Sequence, residues 1–553
     1  MLTLSLETNK FTRLPARVNA ARFRATMYAM PIRRTFALLA LSGAIACGGD
    51  TAAPTRNTLI DSRDRYDPRS LDPAQATDVP TGRAVAYVFD GLTRFTPDAK
   101  LAPGLAERWE VSPDGRTYTF HLRRGVTFHD GTPFVARHVL RSWERVLDPA
   151  TRSGGAAMLS AIAGASAYAD RQAPSVSGLS APDDSTVVVT LQQPLAVFPT
   201  LLAMPVAAIV PDSIPANFGE RPVGTGPWRL VEWRHDDYLL FARNTEYWDG
   251  APETDSLLAR IIPEPSTAVA EFESGNVDLL YVPEGESRRW QEAGGPGDRA
   301  QMLSAPALRL WYIGINVTRG PLRDPRVRQA INYAIDVESI VNALIGGRGR
   351  LAAGVIPPAL AGADTTRAPY GHDLGRARQL LAQAGYPDGI EIQLWHSQDA
   401  AFTDVAEAVQ AQLGEAGIRA TLVQREAAAM RAAARNGETD LVLKDWYADY
   451  PDAENFLYPL LHGDNAGQNG ANVSFYDDPR FDSLVSAARI ESDSAQRVAL
   501  YREADALAFE DAPMAFLFFY NDLYALQPWI RGFEAPVIFT GERWTEAGIG
   551  NRE

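Results

Sequence analysis

The sequence predicts an α/β fold built from two or more lobes. Its 553 residues exceed the roughly 250–300 residues at which a single hydrophobic core stops growing. Strand-like and helix-like segments alternate along the chain, which is typical of α/β architecture. The clearest unit comprises a strand over 391–395, a helix over 403–415 ended by Gly417, and a strand over 419–424. Such a βαβ unit implies parallel strand pairing and a right-handed crossover.

Other elements follow from turn residues and hydrophobic spacing. Residues 112–115 (Ser-Pro-Asp-Gly) predict a turn, and 117–128 predicts two short strands around Gly125. A helix over 136–146 and a strand over 187–191 come next. The apolar spacing over 324–344 predicts one helical stretch. A strand over 440–446 and a helix over 494–509 complete the series.

Composition excludes several classes of protein. A formal net charge of −15 and a pI of about 5.1 argue against a nucleic-acid partner, because phosphates need a basic footprint. The only cysteine, Cys47, permits no intramolecular disulfide and no four-cysteine zinc site. No GxSxG, HExxH or cysteine-nucleophile motif occurs, so we expect neither an enzyme nor a bound cofactor or metal.

The N-terminus predicts an export signal. Arg33 and Arg34 precede an apolar run over 36–46 that is followed directly by Cys47. The run is too short for a membrane-spanning helix, which needs about 20 residues, and suits a cleaved signal. It resembles a bacterial lipobox, which implies lipidation of Cys47, although Ala44-Ile45-Ala46 also fits ordinary signal cleavage. We therefore expect an extension and signal over 1–47, a tether over 48–57, and a periplasmic or cell-surface protein anchored through Cys47.

A series of short motifs, each occurring once, runs through the remainder of the chain. They are Ser70-Leu71-Asp72-Pro73, Val88-Phe89-Asp90-Gly91-Leu92, Leu105-Ala106-Glu107-Arg108-Trp109, Phe120-His121-Leu122-Arg123-Arg124-Gly125-Val126, His129-Asp130-Gly131-Thr132, Pro222-Val223-Gly224-Thr225-Gly226-Pro227-Trp228, Arg243-Asn244, Tyr247-Trp248, Ile315-Asn316 and Asp324-Pro325-Arg326-Val327-Arg328-Gln329-Ala330-Ile331. In this order, over residues 58–535, they resemble the extracellular solute-binding proteins that serve peptide, oligopeptide and nickel ABC importers. For the glycine motif at 224–226 we expect tight backbone geometry with positive φ, not a phosphate cradle.

The resemblance implies a two-lobed periplasmic-binding-protein fold, type II-like, with an extra N-terminal subdomain. Lobe I would span 58–305, including the subdomain over about 91–204. Lobe II would span 306–515, and residues 516–553 would return to lobe I. The implied partners are a short peptide and an ABC permease with its ATPase, and we expect a monomer. Ligand-induced closure of the lobes would present a surface to the importer.

One segment carries candidate ligand contacts. In oligopeptide-binding members a tryptophan lies beside the ligand and an aspartate three residues later receives the peptide's α-ammonium; the matching positions are Trp446 and Asp449. Asp452 is an alternative carboxylate, and Tyr447 and Asp445 are further candidates. A carboxylate would replace the water that the ammonium loses in a closed cleft, at a net gain of about 1.5–3 kcal/mol.

Other interpretations stay open at this point. Asp449 could cap a turn, and Trp446 could belong to the core. An oligosaccharide would favour stacking aromatic residues, and chelated nickel would recruit histidines such as His372 and His396. A periplasmic peptide-binding chaperone or sensor would use the same fold.

Overall fold

The computed structural model describes residues 57–550. The predicted signal, Cys47 and the tether apart from Asn57 lie outside the described residues. Within the described part of the chain, no helix is both long enough and apolar enough to cross a membrane.

Strands alternate with helices along the chain. The strands are β1 (Thr58–Asp61), β2 (Thr93–Phe95), β3 (Leu101–Pro103), β4 (Ala106–Val111), β5 (Thr117–Leu122), β6 (Leu179–Asp183), β7 (Thr186–Thr190), β8 (Trp228–Arg234), β9 (Tyr238–Arg243), β10 (Ser256–Arg260), β11 (Leu279–Tyr281), β12 (Gln301–Ile315), β13 (Gly349–Leu351), β14 (Ile390–Ser397), β15 (Ile418–Arg425), β16 (Leu441–Tyr447), β17 (Met514–Leu526), β18 (Ile530–Arg531) and β19 (Gly548–Ile549). The α-helices are α1 (Val79–Val88), α2 (Ala136–Leu147), α3 (Ala165–Ala169), α4 (Phe198–Leu201), α5 (Pro265–Glu273), α6 (Ser287–Gln291), α7 (Pro325–Ala334), α8 (Val337–Leu344), α9 (Leu374–Gln383), α10 (Ala400–Glu415), α11 (Ala427–Arg435), α12 (Glu454–Leu461), α13 (Pro479–Ile490) and α14 (Ser494–Asp511).

One large mixed sheet passes through the described chain in the order β15-β14-β16-β12-β17-β11-β1-β10-β9-β8, with β13 pairing to β17. Strands β14 and β15 pair in parallel, joined by α10, so the predicted βαβ unit is confirmed. Strand β14 also pairs in parallel with β16. The carboxyl ends of these three strands meet at one sheet edge, which is the usual position of a ligand site in α/β folds.

Two long antiparallel strands, β12 and β17, carry this sheet from one lobe to the other. Their pairing changes register between Pro306 and Leu310, opposite Asn521 and Phe519. Proline donates no hydrogen bond to a ladder and is tolerated at such irregularities. The lobe boundary predicted at 305/306 falls inside β12, and the one at 515/516 falls inside β17; both boundaries remain predictions.

Separate apolar cores stabilise the parts of the fold. One core draws almost all its buried side chains from residues 74–209, including Phe120, Trp143 and Val189, and packs around the four-stranded sheet β4-β5-β7-β6. A second surrounds the βαβ unit. A third packs α12, α13 and α14 against the other face of β12 and β17. Separate cores of this kind are expected for a chain too long to fold around one.

Three of the sequence motifs, those over 88–92, 222–228 and 247–248, meet at one buried carboxylate, Asp90. Its Oδ1 accepts hydrogen bonds from Arg543 Nη1 at 2.7 Å and Tyr247 Oη at 3.1 Å. Its Oδ2 accepts from Thr225 Oγ1 at 2.8 Å and Trp248 Nε1 at 3.1 Å. Distant segments of the chain are thereby fixed to α1 around a single ion pair, which gives these motifs a structural role.

The glycine motif corrects one expectation. Neither Gly224 nor Gly226 has a positive φ. Instead, both pack against the backbone at the end of α1: Gly226 N–H donates to Val88 O at 2.8 Å, and a Cβ on Gly226 would lie 2.6 Å from Tyr87 O. Close backbone approach, not backbone conformation, requires glycine here.

Two predicted elements differ from the structure. The helical stretch over 324–344 is two helices, α7 and α8, because the helix stops at Ile335 and Asp336 caps a new one by accepting from Ser339 N–H. The segment over 117–128 contains one strand, β5. Beyond Gly125, which adopts φ of 78°, only an isolated bridge between Thr127 and Pro133 forms.

Candidate functional site

Two cavities flank the loop that follows β16. The larger, about 960 Å³, is lined by Asp449, Tyr450 and the start of α12 on one side and by residues 157–161 and 192–201 on the other. The smaller, about 280 Å³, is lined by Tyr447 and Arg309 together with residues that follow β1. The loop therefore separates two cavities that are both walled by distant parts of the chain.

Asp449 faces the larger cavity. Its backbone N–H donates to Asn455 Oδ1 at 2.9 Å, which fixes the loop to α12. Among the described residues no arginine, lysine or histidine forms an ion pair with its carboxylate, which is exposed to the cavity. Burial by the cavity walls raises the pKa of Asp449, against the opposing effect of the Asn455 side chain. The carboxylate is thus an acceptor without a cation partner.

Trp446 lies beside this loop, with one side in the core. Its Nε1 donates to Asn455 O at 2.8 Å. The half-buried ring packs against the core that includes Leu308, Leu310 and Phe456. Asn455 therefore binds both Trp446 and Asp449, so that the tryptophan helps to position the aspartate.

Tyr447 lines the smaller cavity, and Asp445 is bound to Arg309, which lines it too. Asp445 Oδ2 accepts a hydrogen bond from Arg309 Nε at 2.8 Å. Tyr447 is directly opposite Arg309 in the β12–β16 pairing and is 37% exposed. The five sequence candidates are therefore not gathered in one cavity. Strand alternation turns Trp446 away from Asp445 and Tyr447, and Asp449 and Asp452 lie in the loop beyond the end of β16.

Asp452 is already ion-paired within the fold. Both of its carboxylate oxygens accept from Arg497 Nη2 at 2.7 Å, and Oδ1 also accepts from Glu454 N–H at 2.9 Å. Its side chain is 13% exposed. A ligand ammonium at this position would have to displace the arginine, so the structure favours Asp449 over Asp452 as the carboxylate available to a ligand.

Sequence analysis missed most of the residues that line the smaller cavity. They include Arg63, Arg83, Arg309, Tyr281 and Asp522. Tyr281 Oη donates to Asp522 Oδ1 at 2.8 Å, and burial raises the pKa of Asp522. These residues come from five separate segments and share no spacing, so no sequence signal indicated them.

A metal site is not formed in the part of the chain that the structure describes. No three histidine, cysteine, aspartate or glutamate side chains come close enough there to hold an ion. His396, one of the two histidines considered for nickel, is buried, and its Nδ1 lies 2.8 Å from Ser397 O.

Known proteins resemble this chain over most of its length. Residues 100–468 match the family described as "Bacterial extracellular solute-binding proteins, family 5 Middle". The chain belongs to that family. This family 5 protein is 30% identical to the glutathione-binding protein GsiB of Escherichia coli over 488 residues, which cover 86% of this chain and 91% of GsiB. Membership confirms the predicted resemblance and the solute-binding role in ABC import.

Two solved structures support the fold. The periplasmic murein tripeptide-binding protein MppA, in its unliganded open form, superimposes with a TM-score of 0.78 at 26% identity, covering 90% of this family 5 chain and 98% of MppA. The ABC transporter-associated binding protein DppA from Helicobacter pylori, in complex with the peptide STSA, gives a TM-score of 0.70 at 28% identity, covering 89% and 98%. The two-lobed α/β fold is confirmed, and the structure is more similar to that open form than to this peptide complex.

Proposed function

We propose that this family 5 protein captures short peptides between its lobes and delivers them to a membrane permease of an ABC importer. The observation that carries the proposal is Asp449, a cavity carboxylate without a cation partner. A peptide's α-ammonium loses water when a cleft closes over it, and a carboxylate replaces that water with a charge-assisted hydrogen bond. No covalent chemistry is required of any residue.

The similar proteins support a peptide as the solute. GsiB is named for glutathione, MppA for a murein tripeptide, and DppA holds the tetrapeptide STSA. These ligands are short peptides or peptide derivatives. Asp449 occupies the position at which the sequence resemblance expects the ammonium contact. Trp446 lies beside it, Tyr447 lines the neighbouring cavity, and Asp445 pairs with Arg309.

Closure about the β12–β17 crossing would complete the site. The register change between Pro306 and Leu310 interrupts regular ladder pairing in the strands that join the lobes. Hinges are commonly a few positions that absorb backbone change between rigid bodies. We assign lobe I to 58–305 and the C-terminal return 516–553, and lobe II to 306–515.

Membership of a family of extracellular solute-binding proteins supports a position outside the cytoplasm, as the export signal predicted over 1–47 does. We further propose that Cys47 carries the lipid anchor and that the tether over 48–57 links it to the folded body as a monomer. Membrane fractionation of a Cys47→Ser variant tests this: the variant should move to the soluble fraction. A wild-type protein already in the soluble fraction would contradict the anchor without affecting the solute-binding role.

Native mass spectrometry of the exported, purified protein tests the ligand class. Wild type should carry adducts that dissociate into short peptides, and Asp449→Asn should lose them. Asp464→Asn is the matched control, because Asp464 lines the same cavity and is exposed; it should retain the adducts. Peptides retained equally by Asp449→Asn would move the ammonium contact elsewhere. A sugar or metal adduct would contradict the peptide proposal and leave solute binding intact.

A further inference from the structure

Two strands from distant parts of the chain share one edge of β17. Strand β13 pairs with residues 518–520 and β11 pairs with residues 524–526, while β12 occupies the opposite edge. Neither β13 nor β11 reaches residues 521–523, and the pairing with β12 changes register beside this gap, between Phe519 and Asn521. On the assignment proposed above, β13 belongs to lobe II and β11 to lobe I. The gap therefore lies where the two lobes meet in the sheet.

Arg348 fills this gap. Asn521 N–H donates to Arg348 O at 2.7 Å, which continues β13 by one residue. The N–H of Arg348 is bound to Ile345 O, so its side-chain Nε takes the place of a backbone donor and binds Asn521 O at 3.1 Å. From the other side, Val282 N–H donates to Leu523 O at 2.9 Å and continues β11. Arg348 Nη1 donates to Val282 O at 2.8 Å, and this bond joins the two strand ends.

The rest of the Arg348 guanidinium is bound in the same direction. Nη1 also donates to Ser287 Oγ at 3.3 Å, and Nη2 donates to Tyr281 Oη at 3.1 Å. Its Cζ lies 4.7 Å from the ring centroid of Tyr520 and 5.2 Å from that of Tyr281, within the range of a cation–π interaction. Arg348 is 3% exposed. By the proposed lobe assignment, a lobe II residue thus directs these four side-chain hydrogen bonds into lobe I.

The turn before Arg348 is shaped for this contact. Gly346 and Gly347 follow α8 with φ of 62° and 75°, a conformation that glycine adopts without steric cost. A Cβ on Gly346 would lie 2.8 Å from Ser287 Cβ, so the turn packs tightly against α6. Gln291 Nε2, at the end of α6, donates to Gly346 O at 3.2 Å. The turn and α6 therefore form one continuous contact that includes Arg348.

This set of bonds favours one arrangement of the lobes. A guanidinium presents its N–H groups in a rigid plane, so a rotation of residues 281–287 relative to Arg348 would lengthen several bonds together. A buried donor that loses its acceptor costs about 1–3 kcal/mol. The structure that satisfies these donors is more similar to the open form of MppA than to DppA in complex with its peptide. The arrangement that Arg348 favours is therefore the open one.

We propose that Arg348, with its partners Tyr281, Val282, Ser287 and Asn521, forms a clamp that holds the lobes open and thereby lowers the affinity for the solute. Arg348 lines neither of the two cavities beside β16, so it is a positioning residue that acts through the lobe arrangement. The effect on affinity rests on the proposed function, since it presumes that the lobes close around a peptide. The clamp itself can be tested without any solute.

The test compares two substitutions of Arg348 with one of Arg328. Arg348→Gln removes the guanidinium, and Arg348→Lys keeps a positive charge on a flexible stem should the first variant not fold. Arg328→Gln is the matched control. Arg328 is 5% exposed, and its guanidinium donates to the backbone carbonyls of Asp511, Leu322 and Arg323, all within lobe II as assigned. Thermal melting identifies the variants that are folded, and we expect both glutamine variants to melt below wild type.

Small-angle X-ray scattering of the exported, purified proteins measures the lobe arrangement directly. Co-purified ligand is removed first, and native mass spectrometry verifies its removal. Arg348→Gln should have a smaller radius of gyration than wild type, because loss of the clamp raises the population of the closed state. Arg348→Lys should change the radius in the same direction and by less. Arg328→Gln should match wild type.

Isothermal titration calorimetry with trialanine and with reduced glutathione measures the consequence for binding. A folded Arg348→Gln variant should bind a probe about threefold to thirtyfold more tightly than wild type, because a larger fraction of the protein is competent to bind. Arg328→Gln should bind within about twofold of wild type. A residue that only stabilises the fold would lower the melting temperature without tightening binding.

The outcomes separate the clamp from the peptide proposal. Folded Arg348 variants with the radius of wild type would overturn the clamp, and so would an equal decrease in Arg328→Gln. A smaller radius with unchanged or weaker binding of a probe that wild type binds would overturn the effect on affinity. If wild type binds neither probe, the choice of peptide is contradicted, while the radii still decide whether Arg348 holds the lobes open.

Discussion

Arg543 Nη1 lies 2.7 Å from Asp90 Oδ1, although 453 residues of chain separate them. Both side chains are less than a tenth exposed. Burial alone would raise the pKa of Asp90, yet Arg543 and the hydrogen bonds from Trp248 and Thr225 hold it below its usual range. The pair joins the segment that follows α1 to the C-terminal segment and is a main tertiary link between these distant parts of the chain.

Asp90→Asn should destabilise the fold by about 3–5 kcal/mol, because it leaves a buried guanidinium without its counter-charge. Chemical denaturation, monitored by circular dichroism, measures the change in the free energy of unfolding. Asp98→Asn, which breaks an exposed pair with Lys100, should leave the midpoint unchanged. Equal effects of the two substitutions would show that the buried pair contributes no more than a surface pair.

Gly226→Ala should destabilise the protein by about 3 kcal/mol, because the new methyl group would overlap the backbone of Tyr87 and Val88. Gly414→Ala is the control. Gly414 lies in α10 with open space around its Cβ position, and alanine there should stabilise by about 0.5–1 kcal/mol. Denaturant midpoints measure both. A neutral Gly226→Ala variant would contradict the close approach between the two segments.

Asp449→Asn should leave the ligand-free protein as stable as wild type or more stable at neutral pH. The folded-state pKa of Asp449 lies above its ordinary value because of burial. Because the folded protein holds the Asp449 proton more tightly than the unfolded chain does, the free energy of unfolding falls as pH rises from the ordinary carboxyl pKa through the raised one. At pH 7 the ionised carboxylate therefore destabilises the ligand-free fold. Thermal melting at pH 7 measures this. A lower melting temperature for the variant would instead assign Asp449 a role in capping the turn.

Peptide affinity should fall as pH is lowered through the raised pKa of Asp449, since only the ionised carboxylate attracts an ammonium. Well below that pKa the loss should approach about tenfold per pH unit. Calorimetric titrations between pH 7.5 and 4.5 measure the profile. Glu454, whose pKa burial also raises, lines the same cavity, so Asp449→Asn serves as the reference. An equal slope in variant and wild type would exclude Asp449 as the titrating group.

Saturating peptide should reduce the radius of gyration of wild type measured by small-angle X-ray scattering. The structure is similar to an open form of a relative, and a ligand that contacts both lobes favours the closed state. Asp449→Asn at the same peptide concentration should show a smaller decrease or none. An unchanged radius in wild type at demonstrated saturation would contradict lobe closure.

Local sequence patterns predict those secondary-structure elements whose periodicity and end residues lie within the element itself. The βαβ unit was predicted because strand, helix and strand are contiguous and carry clear periodicity, and α10 differs only in beginning at Ala400. The stretch over 324–344 was predicted as one helix because apolar spacing continues across the break. The competing signal was Asp336, whose side chain caps α8 and permits a new helix start.

For the site, sequence alone determined the family, the solute-binding role and the loop over 445–452, because motif order and the tryptophan–aspartate spacing are properties of the chain itself. The tertiary structure decides which carboxylates of this segment are ion-paired and which are not. It pairs Asp452 with Arg497 and Asp445 with Arg309, and it leaves Asp449 without a cation partner among the described residues. It also brings Arg83 and Arg309 to one cavity from segments more than two hundred residues apart. Ion pairing and burial depend on which distant segments meet in space, and no local pattern encodes that.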